Sequence, residues 1–213
     1  MADIPFINTH SHVFDQENIT LFQGKIGLRD KWFSFGVHPC DANISETSPI
    51  FLDHIKMPNC LALGEIGLDK LKGPDLETQI KVFEQQITLS ESLELPVIIH
   101  CVKAWNELKR IKRRLNPSQK WIFHGFSKTN ILEDVLSEGL FVSFGAAILR
   151  NPKLMEASTN VPLEKLFLET DDSTISIEII YSEFAKAKQI TLQELKEIQF
   201  SNFKRVFKKW KSG

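Results

Sequence analysis

The stretch VIIHCVKAWNELKRIKRRLNPSQKWIFH, residues 97–124, decides the fold. An apolar run closes on His100, a stretch of helical period follows from Ala104 to Leu115, and a second apolar run closes on His124. A β-rich run, a helical stretch and another β-rich run form one βαβ unit of a parallel sheet. Outward from it, the same kind of run recurs at Phe6–Thr9, Ile19–Phe22, Trp32–Gly36, Leu61–Ile66, Phe141–Phe144 and Leu166–Thr170. With Val97–His100 and Trp121–His124 these make eight candidate strands. Helical period also marks Leu76–Leu93, Thr129–Glu138 and Thr191–Trp210. In the first, Leu76, Ile80, Phe83, Ile87 and Leu93 share a face with Ser90, a stripe suited to packing on a sheet. The last is less regular, with one gap of five between Ile198 and Phe203. No helix is legible between Thr9 and Trp32, so the beginning is abbreviated. Eight parallel strands predict a (β/α)8 TIM barrel, abbreviated near the N-terminus, with an open doubly wound sheet as the alternative.

Composition narrows the function classes. Of 213 residues 42% are apolar, enough for one sizeable core, which excludes a disordered chain. Lys plus Arg number 26 against 27 Asp plus Glu, a net charge of -1, which excludes a strongly basic nucleic-acid coat. No apolar run reaches the ~18 residues of a membrane span, and MADIPFINTH lacks the pattern of a signal peptide. Three cysteines without zinc-type pairing fit a reducing compartment, so a soluble, cytoplasmic protein is expected, with no membrane partner. Without linker, low-complexity tract or internal repeat, residues 1–213 read as a single domain.

Five of the six histidines, His10, His12, His38, His100 and His124, stand at or just after the ends of these strands. In a (β/α)8 barrel those ends share one face, so residues distant in sequence converge there. His10 and His12, two apart in an extended strand, project to the same side; alone they also fit a pair of ordinary histidines. Glu65 interrupts the apolar run LALGEIG, and buried charge requires a partner, either a metal ion or a nearby lysine. Asp171 lies between Glu169 and Asp172, a grouping that fits either a cavity ligand or an acidic loop and helix cap. Together His10, His12, Glu65, His100, His124 and Asp171 supply nitrogen and oxygen donors for two divalent ions, and such a pair supports hydrolytic displacement. Neither a GxxxxGK[ST] loop nor a G-x-S-x-G elbow is present. Cys101 points opposite to its neighbour His100 and reads as packing.

INTHSH (7–12), GVHP (36–39), GEIGLD (64–69), ELPVIIHC (94–101), HGFS (124–127) and LETD (168–171), in that order, resemble the TatD family of metal-dependent deoxyribonucleases in the amidohydrolase superfamily. A weaker match is NFKRVF at 202–207. The resemblance implies a distorted TIM barrel with two divalent ions, Mg, Mn or Zn. It implies that His10, His12, Glu65 and Asp171 hold one ion and Glu65, His100 and His124 the other. Asp171 would also be the general base acting on the water nucleophile. His38 would lie near the substrate phosphate, and Glu169 beside the site. The expected activity is DNA phosphodiester hydrolysis, at ends or on single strands.

The chain also departs from the family pattern. Asn8 stands where the family opens with Asp, removing a negative charge near the first ion. Val102 stands where an Arg commonly grips phosphate, leaving Lys103 next to it as the candidate contact. The segment from His12 to His38 is short, and LETDD lacks the usual Pro-containing loop. The same ions would equally serve an amide, ester or small phosphoester, and a non-catalytic partner-binding member is a third reading. The basic runs KRIKRR (109–114) and KRVFKKWK (204–211) fit phosphate contact or simply solvated helix faces.

Overall fold

The structure, a computed structural model, describes residues 4–13, 18–24, 31–43 and 49–211. Its strands are β1 (Ile7–Ser11), β2 (Ile19–Gln23), β3 (Phe33–Phe35), β4 (Cys60–Asp69), β5 (Val97–Val102), β6 (Trp121–Phe123), β7 (Phe141–Phe144) and β8 (Leu166–Leu168). Its helices are α1 (Pro49–Lys56), α2 (Leu76–Leu93), α3 (Trp105–Leu115), α4 (Leu132–Ser137), α5 (Pro152–Thr159), α6 (Ile177–Lys188) and α7 (Leu192–Val206).

The eight strands follow one another in the sheet in chain order. That order rules out the doubly wound alternative, whose sheet reverses direction about its first strand. The chain has the (β/α)8 fold. Between Thr9 and Trp32 the described residues contain β2 and no helix; 14–17 and 25–30 lie outside them. Contacts group the chain into two compact units, one of residues 1–22 and 124–206, the other of residues 23–123 and 207–213.

In the first unit β7 pairs in parallel with β8, and β1 with β2. A parallel bridge between Ser11 and Asp171 joins the end of β1 to the chain just past β8. Beneath this sheet Tyr181 of α6 is fully buried; its hydroxyl donates to the Ile7 carbonyl and accepts from the Ile7 N–H. Burial accordingly pushes the phenol far above its ordinary pKa. On α7, Gln199 and Asn202 are buried because their amides donate to the Leu166 carbonyl where β8 begins. They fill the gap of five that breaks the apolar stripe.

The second unit is organised by β4, a ten-residue strand buried along its whole length between β3 and β5. Gly67 permits the close pairing: it has φ +151°, and a Cβ there would stand 1.9 Å from the His100 carbonyl oxygen. α2 begins at Asp75, whose carboxylate accepts from the Thr78 N–H, and ends on Glu94 in the left-handed conformation. Its buried face matches the stripe read from the sequence in part, at Phe83, Ile87 and Ser90. Phe83 and Ile87 are buried, Leu76, Ile80 and Leu93 only partly, and Gln79, Gln86 and Ser90 complete the face. Among the described residues no helix is long and apolar enough to cross a membrane.

Candidate functional site

In the first unit the site is assembled by β1 and the turn after β8. His10 is fully buried at the end of β1 and His12 lies just beyond it, 43% exposed. Their rings stand nearly perpendicular with centroids 5.1 Å apart. The backbone of Asp171 sits between them: its N–H donates to the His10 carbonyl at 3.0 Å and its carbonyl accepts from the His12 N–H at 2.9 Å. Asp171 adopts φ +54°, in the left-handed region that Asp visits more readily than most residues, and its side chain reaches toward both rings. Its Oδ1 lies 3.6 Å from His10 Nε2 and 3.5 Å from His12 Nε2. His124 brings its ring centroid to 4.4 Å from that of His10. Nδ1 of His124 stands 3.6 Å from Oε1 of the fully buried Glu169, which also accepts from the Gly125 N–H. Burial alone would raise the Glu169 carboxyl, but His124, the charge of His10 and the Ser143 hydroxyl outweigh it and hold the group below the ordinary range.

Asn8 is part of this frame. Its amide donates to the Thr170 hydroxyl at 2.8 Å and accepts from the Thr170 N–H at 3.0 Å, while that hydroxyl donates to Ser11 at 2.9 Å. The residue that departs from the family pattern therefore uses both ends of its amide to fasten the backbone beside Asp171.

In the second unit the ends of β3, β4 and β5 contribute. His38 Nδ1 accepts from the Cys40 N–H at 3.1 Å, so in the neutral ring the proton sits on Nε2. That nitrogen faces His100 Nδ1 at 3.4 Å and Glu65 Oε1 at 3.5 Å. The loop carrying His38 is fixed by Gln86 of α2, which accepts from the Val37 N–H at 2.7 Å and donates to the Val37 carbonyl at 3.1 Å. Glu65 is buried in β4, and its Oε1 lies 2.5 Å from His100 Nδ1. Lys103, exposed just past β5, has φ +54°.

Sequence reasoning missed Asp69, which closes β4 with its Oδ2 3.2 Å from His100 Nε2. Burial would raise its carboxyl, but the Leu71 N–H and His100 lower it further than that. The available signal was its place as the last letter of GEIGLD, where a second acidic residue ends an otherwise apolar strand.

The structure thus brings His10, His12, His124, Asp171 and Glu169 together in one unit, and His38, Glu65 and His100 together in the other. Ligand atoms of His10, His124 and Asp171 lie within 4.8 Å of one another, and so do those of His38, Glu65 and His100. Imidazoles grouped with carboxylates, His10 and His124 among them buried, are the mixed nitrogen and oxygen donors that divalent ions take, so the residues present fit such ions. The basic runs are partly engaged within the chain: Arg114 pairs with Glu84, Lys209 donates to the Met57 carbonyl, and Lys204 lies over the Phe200 ring.

Histidines and carboxylates gathered at the strand ends of a (β/α)8 fold form a donor set suited to divalent ions. A family profile described as TatD related DNase matches residues 14–208, and the chain belongs to that family. It is 34% identical over 148 residues to the 3'-5' ssDNA/RNA exonuclease TatD of Erwinia tasmaniensis, covering 66% of this chain and 57% of that protein. It is 26% identical over 219 residues to the uncharacterized metal-dependent hydrolase YabD of Bacillus subtilis, covering 92% of this chain and 85% of that protein. The chain therefore spans little more than half the length of its Erwinia relative. Among solved structures, YJJV, a TatD homologue from Escherichia coli K12, shares the fold with a TM-score of 0.73 at 24% identity, covering 84% of this chain and 77% of that one.

Proposed function

We propose that residues 1–213 form one metal-dependent hydrolase domain that cleaves phosphodiester bonds in DNA, at ends or in single strands. The observation that carries this reading is the gathering of His10, His124 and Asp171, and of His38, Glu65 and His100, into two groups of ligand atoms at strand ends. Where the resemblance puts Glu65 with His10, His12 and Asp171, and His124 with Glu65 and His100, the groups within each unit suggest instead that His10, His12, His124 and Asp171 would hold one divalent ion and Glu65 and His100 another, with Mg, Mn and Zn the candidate metals. Bound divalent ions supply Lewis-acid polarisation of a phosphoryl oxygen. Asp171, partly exposed and oriented by its backbone bonds to His10 and His12, takes the proton of the attacking water at a carboxylate oxygen. His38, its proton fixed on Nε2, donates to a phosphate oxygen, and exposed Lys103 adds positive charge in place of the family's Arg. Glu169 holds His124 in orientation. The Erwinia relative's name supports single strands as substrates and brings RNA into the test. Three cysteines without zinc-type pairing fit a reducing compartment, which supports a cytoplasmic location.

Metal-stripped protein is incubated with end-labelled single-stranded DNA, duplex DNA and RNA, with Mg, Mn or Zn added separately and Asp171→Asn as control. Metal-dependent shortening by the wild type, absent from a folded Asp171→Asn protein, is the expected result. Full activity in that variant overturns the assignment of the base. Silence on every nucleic acid despite bound ions transfers the site to amide, ester or small phosphoester substrates.

A further inference from the structure

We infer that Asp69 is a positioning residue: it holds the proton of His100 on Nε2 and so directs Nδ1 to serve as the metal ligand. The inference rests on the reading of His100 as a ligand given above, and deepens it.

Asp69 is buried at the end of β4, and both carboxylate oxygens have defined partners. Oδ1 accepts from the Leu71 N–H at 2.7 Å and the Lys72 N–H at 3.1 Å, which fixes the plane of the group within the turn. The backbone behind it is fixed too. Gln79 of α2 accepts from the Asp69 N–H at 2.8 Å and donates to the Asp69 carbonyl at 2.9 Å. Oδ2 is thereby held 3.2 Å from His100 Nε2. Ionised carboxylates only accept hydrogen bonds and a neutral imidazole carries one N–H, so Asp69 and Glu65 compete for it. Nδ1 faces Glu65 Oε1 at 2.5 Å, a separation that calls for a proton or a cation between them. An ion held by Glu65 and Nδ1 would displace that proton and leave the one N–H on Nε2, where Asp69 accepts it. A carboxylate on the far nitrogen of a ligating histidine fixes ring orientation and raises ligand basicity, and its loss lowers metal affinity about 10–100-fold.

Asp69→Asn separates this role from the turn. The amide oxygen still accepts from Leu71 and Lys72 at unchanged volume, but an NH2 group replaces the oxygen that accepts from His100. Calorimetric titration of metal-stripped protein with Mn2+ is expected to show about 10–100-fold weaker binding of one ion in Asp69→Asn than in the wild type. In parallel, 15N spectra of histidine-labelled, zinc-loaded wild type, assigned against His100→Gln, are expected to show His100 protonated on Nε2 and coordinated through Nδ1. Should Asp69→Asn fail to fold, the wild-type spectrum alone decides. A proton on Nδ1 of His100 in the zinc-loaded wild type overturns the inference, as do equal Mn2+ affinities of wild type and Asp69→Asn. A wild type that takes up no ion overturns the functional reading and this inference together; a wild type that binds ions no better than Asp69→Asn overturns this inference alone.

Discussion

Gln79 and Gln86 stand two helical turns apart on α2, and each bonds a backbone N–H and C=O as a neighbouring strand would. They serve the residues where β4 ends and where the loop after β3 presents His38, positions at which the sheet ladder gives out and buried polar backbone must find another partner. Gln86→Leu would leave the Val37 N–H and C=O orphaned at little change in volume, at about 1–3 kcal/mol for each buried group left unmade. Urea unfolding of this variant is expected to give a lower midpoint at unchanged slope, with a total loss of about 2–6 kcal/mol. An unchanged midpoint would show that the clamp contributes nothing. Such residues are poorly legible in sequence. A glutamine within a helical stripe reads as solvated, and only the geometry of backbone elsewhere requires it inside. His100 and His124 were legible because each closes an apolar run, and His10, His12 and His38 because they stand at or just after strand ends, whereas Asp69 was hidden by its place at the end of a motif already accounted for by Glu65.

Elements sort in the same way. All eight strands were legible within a few residues, because runs such as VII and WIF leave few other homes for β-branched and aromatic side chains. Helices α1, α5 and α6 were not delimited. The first two have eight residues each, too short for a helical period to assert itself, and α6 opens on the mostly apolar IEIIY, which also suits a strand. The stretch Thr129–Glu138 divides into a 3-10 turn at Thr129–Ile131 and α4. The C-terminal helix stops at Val206, short of Trp210. Junctions between elements carry pH sensitivity. Glu91, near the end of α2, accepts from the Ser118 N–H and hydroxyl and from the Gln119 N–H, tying α2 to the loop before β6. Burial raises its carboxyl, but these three donors lower it below the ordinary carboxylate range. Because its folded pKa is depressed, the stability it adds is present above the ordinary carboxylate pKa and is lost as pH falls through the folded value. Glu91→Gln keeps the shape and removes the charge. Wild type and variant are expected to differ by about 1 kcal/mol at pH 7, discounted for partial exposure, and to converge under acid. Denaturant titrations at stepped pH read the difference, and a gap that persists in acid would contradict the assignment.

For the molecule as a whole, a net charge of -1 gives little general attraction to a polyanion, so affinity for nucleic acid has to be local to the strand ends. Those ends concentrate imidazoles and carboxylates whose ligand atoms lie close together, so ion binding and folding are expected to be coupled. A ligand that binds the folded chain alone stabilises it by about 2.7 kcal/mol at one hundred times its Kd. For a chain of this size each kcal/mol moves Tm by about 2–4 °C, so one ion at that excess is expected to raise the unfolding midpoint by about 5–10 °C. Calorimetric scans of metal-stripped protein at stepped Mn2+ provide the measurement, with Glu65→Ala beside the wild type. A midpoint that climbs with Mn2+ in the wild type and climbs less in Glu65→Ala locates part of the gain at β4. A midpoint indifferent to Mn2+ in both would mean that the clustered histidines and carboxylates satisfy one another without an ion, and the hydrolase reading would lose its physical basis.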